Sequence, residues 1–388
     1  MNARRYQLRK DALAIIARGH PWIFRDQLST AATVFRDGQW LRLVGGDNAV
    51  VGHGLYEADG AIAIRVLRRG SAPPDAAWLR ATIAAAVAKR SQLAEHTTGL
   101  RLLNGESDGV PAVVADRFGD TIIVASYSAG ADALARYTAL YFASVPSAIV
   151  GPARNVVVRP ARRRHADALP ARTIRGAPPD IATFREDDLD FAVDLVAGHK
   201  TGAYLDLRGL RRAVAAASLA GARVLNLFSY TGMVGRAAEA AGAAEIVEVD
   251  QSARALAFAA EHHAGDRARH RYVEADAFGY LAALDPAETF DLIIVDPPAM
   301  TSRIDQVPGV LAAYRKLYAA AKALVKPGGA IIAVCCTSRV ERVAFRRTVG
   351  SALGGALALE SELSPEIDHP VGFPQADYLK IMVWRAGR

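Results

Sequence analysis

From about residue 186 onward the chain repeats one pattern: a short apolar run, a turn, then a helical stretch. Five runs carry it, "RVLNLF", "AEIVEVD", "HRYVEAD", "FDLIIVD" and "GAIIAVCC". Apolar runs alternating with helical stretches indicate parallel strands joined by crossover helices, which predicts an α/β domain built on an open doubly wound sheet. Sheets of this kind take ligands beyond the carboxyl ends of their strands, near the reversal of strand order. Each run here ends in small or polar residues: Ser229-Tyr230-Thr231-Gly232, Asp250, Asp276, Asp296-Pro297-Pro298 and Cys335-Cys336-Thr337. One aspartate at a strand end is ordinarily a helix cap. Three of them with a thiol converge on a site.

The rest of the chain follows other patterns, and 388 residues exceed what one hydrophobic core usually serves. Residues 1–72 alternate short β-like runs with turns ("QWLRLVGG", "VVGHGLYE", "AIAIRVLRR"), and "SAPPDAAW" reads as a linker. Residues 80–95 look helical, "VPAVVADRFGDTIIVASY" strand-like, and a helix is expected near 130–143. The stretch from Arg159 to Asp180, rich in Arg, Ala and Pro, reads as a loop or boundary; its Arg162–Arg164 triplet is either solvated or a phosphate contact. The expected partition is a β-rich domain (1–72), a central α+β domain (73–185) and the doubly wound domain (186–388).

Charge points to a partner. The formal net charge is +7, and 40 of the 47 basic residues are arginine, which suits bidentate binding of phosphate. A GC-rich genome is the competing source of that arginine. Through Asp75 the N-terminal segment holds 11 basic against 7 acidic residues. No apolar stretch reaches the roughly 18 residues of a membrane span, and no secretory leader is read at the basic N-terminus, so the expectation is a cytoplasmic, reduced protein away from membranes. Two adjacent cysteines build no disulfide framework, and no Cys/His spacing suits zinc, so no metal is expected.

"NLFSYTGMVG" follows the first run and opens a helix, yet it lacks the G-x-G-x-x-G that carries a pyrophosphate. Gly232 lets the backbone approach a ligand closely, and Asp250, 18 residues on, can accept from both hydroxyls of a ribose. Asp276 can reach an adenine exocyclic amine, with the Ala277 backbone beside it. A nucleoside without phosphates fits this set, namely S-adenosylmethionine. The competing reading makes Asp250 and Asp276 helix caps.

"DPPAM" ends the fourth run, its two prolines holding an extended, rigid turn that can face a flat base. Amino-group methyltransferases place an aromatic residue after such prolines, and Ala299 and Met300 stand here instead. The cysteines suggest other chemistry. Carbon 5 of cytosine is a poor nucleophile until a thiolate adds to carbon 6. Cys336 is the expected nucleophile and Asp296 the partner at N3; the competing reading makes both cysteines buried strand residues.

Over nearly its whole length the chain resembles a bacterial family of 23S rRNA 5-methylcytosine methyltransferases. The matching stretches are "RGHPWIF", "NGESDGVPAVVADRFGD", "GHKTGAYLDLR", "VLNLFSYTG", "DPP", "KPGGAIIAVCCTS" and "DHPVGFPQADYLK". The resemblance implies an N-terminal PUA-like domain gripping structured RNA, a central domain and a class I methyltransferase domain of Rossmann-like fold, with S-adenosylmethionine held by Phe228 to Gly232, Asp250, Asp276, Ala277 and Asp296. Aligned through "PGG", the family's nucleophilic cysteine falls on Cys336, while Cys335 and Thr337 take the places of its flanking serines and Ser338 that of a glycine. Lys200, Tyr204, Asp206 and Arg208 are placed near cofactor and RNA, together with Pro297 and Pro298, or else form an interdomain polar network. The resemblance permits a homodimer. A related branch that methylates guanine N7 shares "KTG…LD.R" and "NLFSYTG" but lacks the strand-end cysteine. A small-molecule methyltransferase and a non-catalytic RNA-binding assembly factor are the other classes.

Overall fold

A computed structural model describes residues 3–29, 35–145, 149, 153–161, 170–198 and 200–387. The arginine triplet 162–164 lies outside the described residues. The chain separates into two compact units: Met1–Leu205 with Ile367–Pro374, and Asp206–Glu366 with Gln375–Arg388.

Unit 1 opens with a five-stranded sheet of order β1-β3-β4-β5-β2, built from β1 (Arg4–Gln7), β2 (Trp22–Phe24), β3 (Trp40–Val44), β4 (Val50–Tyr56) and β5 (Ile62–Arg69). The last three are the expected runs. Helix α1 (Lys10–Ala17) closes the small core, setting Ala12 and Ile16 against Ile23, Leu41 and Ile64. The expected linker gives way to helix at its second half. Asp75 accepts a 2.7 Å hydrogen bond from the Trp78 N–H and caps α2 (Ala76–Ala88). The single helix expected over 80–95 is two, α2 and the short α3 (Ser91–Ala94), separated at Lys89 and Arg90.

The Arg90 side chain explains that break. It is fully buried, and its guanidinium donates to the carbonyls of Ala86 (2.8 Å), Arg101 (3.0 Å) and Asp368 (3.0 Å) and to both carboxylate oxygens of Asp108 (3.0 and 2.6 Å). Asp368 belongs to the returning segment 367–374, and its own carboxylate accepts from the Arg101 N–H at 3.0 Å. Around this pair lies a second sheet, order β10-β9-β8-β7-β6, comprising β6 (Gly99–Asn104), β7 (Val113–Phe118), β8 (Thr121–Ser126), β9 (Asn155–Arg159) and β10 (Arg172–Arg175). Helix α4 (Asp132–Ser144) packs Leu134, Ala135, Ala139 and Phe142 into its core. Strand β10 corrects the expectation of a loop: four residues of the arginine- and proline-rich stretch pair antiparallel with β9. The hairpin of β11 (Ile181–Glu186) and β12 (Leu189–Asp194) runs through the expected 185/186 boundary, and the units divide instead after Leu205.

Unit 2 is the doubly wound sheet. Its strands are β13 (Arg223–Leu227), β14 (Glu245–Asp250), β15 (His270–Glu274), β16 (Phe290–Val295), β17 (Val325–Cys335), β18 (Leu357–Leu363) and β19 (Lys380–Ala386), in the order β15-β14-β13-β16-β17-β19-β18. The five expected runs are β13 to β17, and these pair in parallel. The central run "FDLIIV" is nearly all apolar because both faces are covered. Helices α8 (Ala277–Ala283), α9 (Val307–Lys322) and α10 (Arg342–Leu353) share one hydrophobic core with Leu225, Val247, Ile293 and Ile331. In α9 the buried Tyr314, Leu317, Tyr318 and Ala321 fall at helical spacing. Helices α5 (Arg208–Ala215), α6 (Met233–Ala240) and α7 (Ala253–His262) are the remaining helices of the unit, with α6 and α7 packed on β14. The antiparallel pair β18–β19 at the edge was not expected from the sequence. Among the described residues no helix is long and apolar enough to cross a membrane.

Removing one partner of a buried ion pair leaves the other charge uncompensated. Asp108→Ala should therefore destabilise the chain by roughly 3–5 kcal/mol, read as a lowered midpoint in urea unfolding.

Candidate active site

The strand order of unit 2 reverses at β13, which lies between β14 and β16. Crossovers leave this point in opposite directions and open a crevice at the carboxyl ends. The chain leaving β13 is strained: Phe228, Tyr230 and Gly232 have φ of 61°, 50° and 72°. For the two non-glycine residues that conformation costs on the order of 1 kcal/mol or more each, so neighbouring bonds must hold it. They do. The Ser229 N–H donates to Val249 O (3.0 Å), the Tyr230 N–H to Asp250 Oδ2 (2.9 Å), and the Gly232 N–H to Ser229 O (2.9 Å). His263, at the end of α7, donates through Nδ1 to Thr231 O. At Gly232 a Cβ would come 2.8 Å from the Ala259 Cβ, so no side chain fits where the loop turns into α6.

Asp250 and Asp276 are both engaged. Asp250 Oδ1 accepts from the Ser252 N–H at 2.9 Å, in addition to Oδ2 holding Tyr230. Asp276 caps α8, accepting from the Gly279 N–H (2.9 Å) and from Gln251 Nε2 (2.9 Å). The capping reading thus holds for Asp276, whereas the cap of α7 is Ser252 and Asp250 braces the β13 loop. Each carboxylate oxygen retains a second lone-pair direction, so neither bond closes it to a ligand hydroxyl or amine. Ala277, next to Asp276, is buried.

On the other side of the reversal the ends of β16 and β17 are tied together. The Cys336 thiol donates to Pro297 O at 3.5 Å, the Met300 N–H to Thr337 Oγ1 at 3.2 Å, and Arg339 Nε to Ser302 O at 3.2 Å. Asp296 is half-buried, Pro297 buried and Pro298 exposed. The two cysteines part company. Cys335 is wholly buried in the core with Tyr314 and Tyr318, while Cys336 is partly open at the strand tip. The buried-residue reading is therefore right for Cys335 alone. Thr337 explains its own presence: its hydroxyl anchors Met300 and lies 3.4 Å from the Tyr314 hydroxyl. Burial, then the charge of Cys335, pushes the Tyr314 hydroxyl far above the usual tyrosine range, so it stays protonated.

The structure brings Ser229 to Gly232, Asp250, Asp276, Asp296 and Cys336 to one edge of one sheet. The remaining expected residues are placed differently. Lys200 and Tyr204 belong to unit 1, where the Lys200 ammonium lies 4.8 Å over the Tyr204 ring. Arg208 is buried in unit 2 with its guanidinium 3.2 Å from Glu366 Oε2, and Asp206 accepts from the Tyr378 hydroxyl at 2.5 Å. Arg208 is corrected from an RNA contact to an internal strut, because a sealed guanidinium has no face for a phosphate. Sequence reasoning missed Lys380, whose Nζ donates to Thr337 O (3.1 Å) and Tyr378 O (2.9 Å). It also missed Glu248. That buried carboxylate accepts from Asn226 Nδ2 (2.8 Å) and faces His270 at 3.6 Å, and Gly235 is needed because a Cβ there would overlap it. A lone lysine or glutamate inside an apolar run gave no signal of its own.

A doubly wound sheet whose switch-point loop and next strand end present a carboxylate and open backbone is the scaffold of a nucleoside-binding enzyme, here with a thiol beside it. Comparison with known proteins defines it further. Residues 118–352 match the S-adenosylmethionine-dependent methyltransferase family model, and residues 7–69 match a PUA-like domain. A ribosomal RNA large subunit methyltransferase of Deinococcus radiodurans is 32% identical over 97% of this chain and 96% of its own length. A ribosomal RNA large subunit methyltransferase I of Shewanella denitrificans is 32% identical over 99% of both chains. Among solved structures, a protein of Streptococcus mutans assigned as a SAM-dependent methyltransferase superposes with a TM-score of 0.84 at 21% identity, covering 99% of this chain and 100% of that one. SMU.776, assigned as a methyltransferase and complexed with SAH, gives 0.85 at 22% identity with the same coverage. The chain belongs to the S-adenosylmethionine-dependent methyltransferases, within the branch whose full-length members carry the ribosomal RNA large subunit methyltransferase I name. Its cofactor is S-adenosylmethionine, and the residues present suit it: the buried Ser229 Oγ has no hydrogen-bond partner among the described residues, and Gly232 keeps the loop free of a side chain.

The Glu248–His270 contact behind the loop sets a pH dependence. Burial alone would lower the His270 value, but the bonds and charges of Glu248 and Glu239 outweigh it and raise it above 6.5. A raised folded value adds stability that is complete below the unfolded value near 6.5 and is lost as pH climbs through the folded one. The midpoint temperature of thermal unfolding should accordingly fall as pH rises from 6.5 through that elevated value, and His270→Gln should remove this part of the slope.

Proposed function

We propose that this chain methylates carbon 5 of a cytosine in large-subunit ribosomal RNA, with Cys336 as covalent nucleophile. The observation that carries the reading is the Cys336 thiol. It stands partly open at the tip of β17, hydrogen-bonded to Pro297 O of the "DPP" turn, on the sheet edge that also bears Asp250 and Asp276. The rRNA substrate is supported by the names of the full-length relatives.

When bound, S-adenosylmethionine supplies a methyl group on a sulfonium. Asp250 orients the ribose hydroxyls, Asp276 and the Ala277 backbone the adenine edge, and Phe228 to Thr231 the remainder. The Cys336 thiolate adds to C6 of the cytosine, and the displaced π electrons make C5 enamine-like. Asp296, acting as a carboxylic acid, donates its proton toward N3 and so neutralises the negative charge that develops there. C5 takes the methyl; water then accepts the C5 proton as the S–C6 bond breaks, returning the thiolate, the aromatic ring and the N3 proton to Asp296. Pro297 and Pro298 hold the backbone against which the flat base rests.

Residues 1–72, with their basic excess and PUA-like match, grip structured RNA; Lys200 and Tyr204 add a cation and a ring for phosphate and base. A reducing cytoplasm suits an enzyme whose nucleophile is a free thiol. Guanine-N7 methylation is the second reading, and the strand-end cysteine disfavours it, since that chemistry has no use for a thiol.

RNA carrying 5-fluorocytidine should trap a covalent adduct visible as a shifted band on a denaturing gel. Cys336→Ala should abolish the adduct and lower methylation by at least about 10³-fold, whereas Cys335→Ala should still form it. Undiminished transfer by Cys336→Ala would exclude the mechanism.

A further inference from the structure

Lysine is among the residue types least often fully buried, yet Lys380 is 1% exposed at the first position of β19, directly across the ladder from Cys335. A buried ammonium is costly unless an opposite charge compensates it. None of the described carboxylates forms an ion pair with it: its Nζ donates to the carbonyls of Thr337 and Tyr378. Asp377, three residues before it, is bound to Arg342 at 2.7 Å, and Arg342 also faces Glu362 at 3.5 Å. From the α9 side the neighbours are the hydroxyls of Tyr314 and Tyr318, both held neutral by burial. The two cysteines complete its surroundings, Cys335 across the ladder and Cys336 beside the Thr337 carbonyl that it holds. Burial pulls the Lys380 ammonium below the ordinary lysine value; the charges of Cys335 and Asp377 oppose that pull, Arg342 reinforces it, and Cys336 opposes it again. Of the two thiols, Cys335 is sealed in the core and Cys336 reaches the open edge of the site.

We propose that Lys380 is a positioning residue for the nucleophile: it pins the turn after β17 through Thr337 O and lends the site a positive charge that favours the anionic form of the Cys336 thiol. This rests on the reading of Cys336 as nucleophile. The lysine touches neither base nor cofactor and acts through the turn and its field. A cation under a strand-end thiol is one of the settings that make cysteines reactive near neutral pH.

The test reads the thiol with no RNA present. In the full chain carrying Cys335→Ala, iodoacetamide labelling of Cys336 is followed by mass spectrometry from pH 5 to 10. The expected midpoint lies below the roughly 8.5 of a free thiol. Lys380→Met should move it up by about one pH unit, equivalent to about a tenfold slower labelling at pH 7, and Lys380→Arg should restore part of the difference. A lysine that merely props the turn would change the rate at every pH by one factor and leave the midpoint in place, which overturns the proposal. So does a midpoint at or above 8.5 in the parent protein, a result that needs no Lys380 variant to fold. Because the labelling requires no methyl transfer, a chain that makes no 5-methylcytosine still answers this question, and that failure counts against the cytosine reaction alone.

Discussion

A parallel sheet whose strand order reverses at β13 must send its crossover helices to opposite faces, and the gap between them leaves strand ends uncovered. Everything chemical in unit 2 is arranged around that gap. The loop leaving β13 bends through three positive-φ positions, a conformation the isolated segment would not hold. It is kept there by Val249 O and the Asp250 carboxylate on β14 and by His263 behind it. On the far side, the Met300–Thr337 and Cys336–Pro297 bonds lock the tips of β16 and β17 together. Two braced edges facing one crevice give a rigid frame for a cofactor.

Buried polar groups do much of this bracing, in both units. Arg90 has every donor direction occupied, through Asp108 and three backbone carbonyls, one of them from the returning segment 367–374. Glu248 is less completely bonded behind the β13 loop: its Oε2 accepts from Asn226, while Oε1 faces His270 Nδ1 at 3.6 Å without a hydrogen bond. Such groups are tolerated in a low-dielectric interior only when nearly all their bonds are made, and once made they fix one arrangement against its neighbours.

The parts of this architecture that could be read in the sequence share a physical cause. Strands β13, β14, β16 and β17 lie inside the sheet, so they appear as largely apolar runs, and the polar residues that follow them mark the strand tips; β15, at the sheet edge, is legible only through its place in the alternation. Edge strands leave no such trace. "LALESEL" of β18 mixes charge with leucine because one side meets solvent, and β10 is four residues within a proline-rich stretch. The separation of Cys335 from Cys336 followed from their place at a strand end, where one step turns a side chain from the core toward the crevice. Lys380 and Glu248 were illegible because a single charge in an apolar segment carries no period; only the carbonyls and rings around it give it meaning. Arg208 misled for the converse reason: a motif position says which residue is needed, not whether its guanidinium faces water.

The divergence of the neighbouring cysteines also governs what oxidants can do here. Were Cys336 converted to a sulfenic acid, the adjacent sulfur could not condense with it while packed among Tyr314, Tyr318 and Phe345, and the chain has no third cysteine to serve instead. Recovery then depends on a small thiol diffusing in from outside. On the proposed mechanism, a shortage of such reductant in peroxide-stressed cells would silence the enzyme molecule by molecule, without unfolding it.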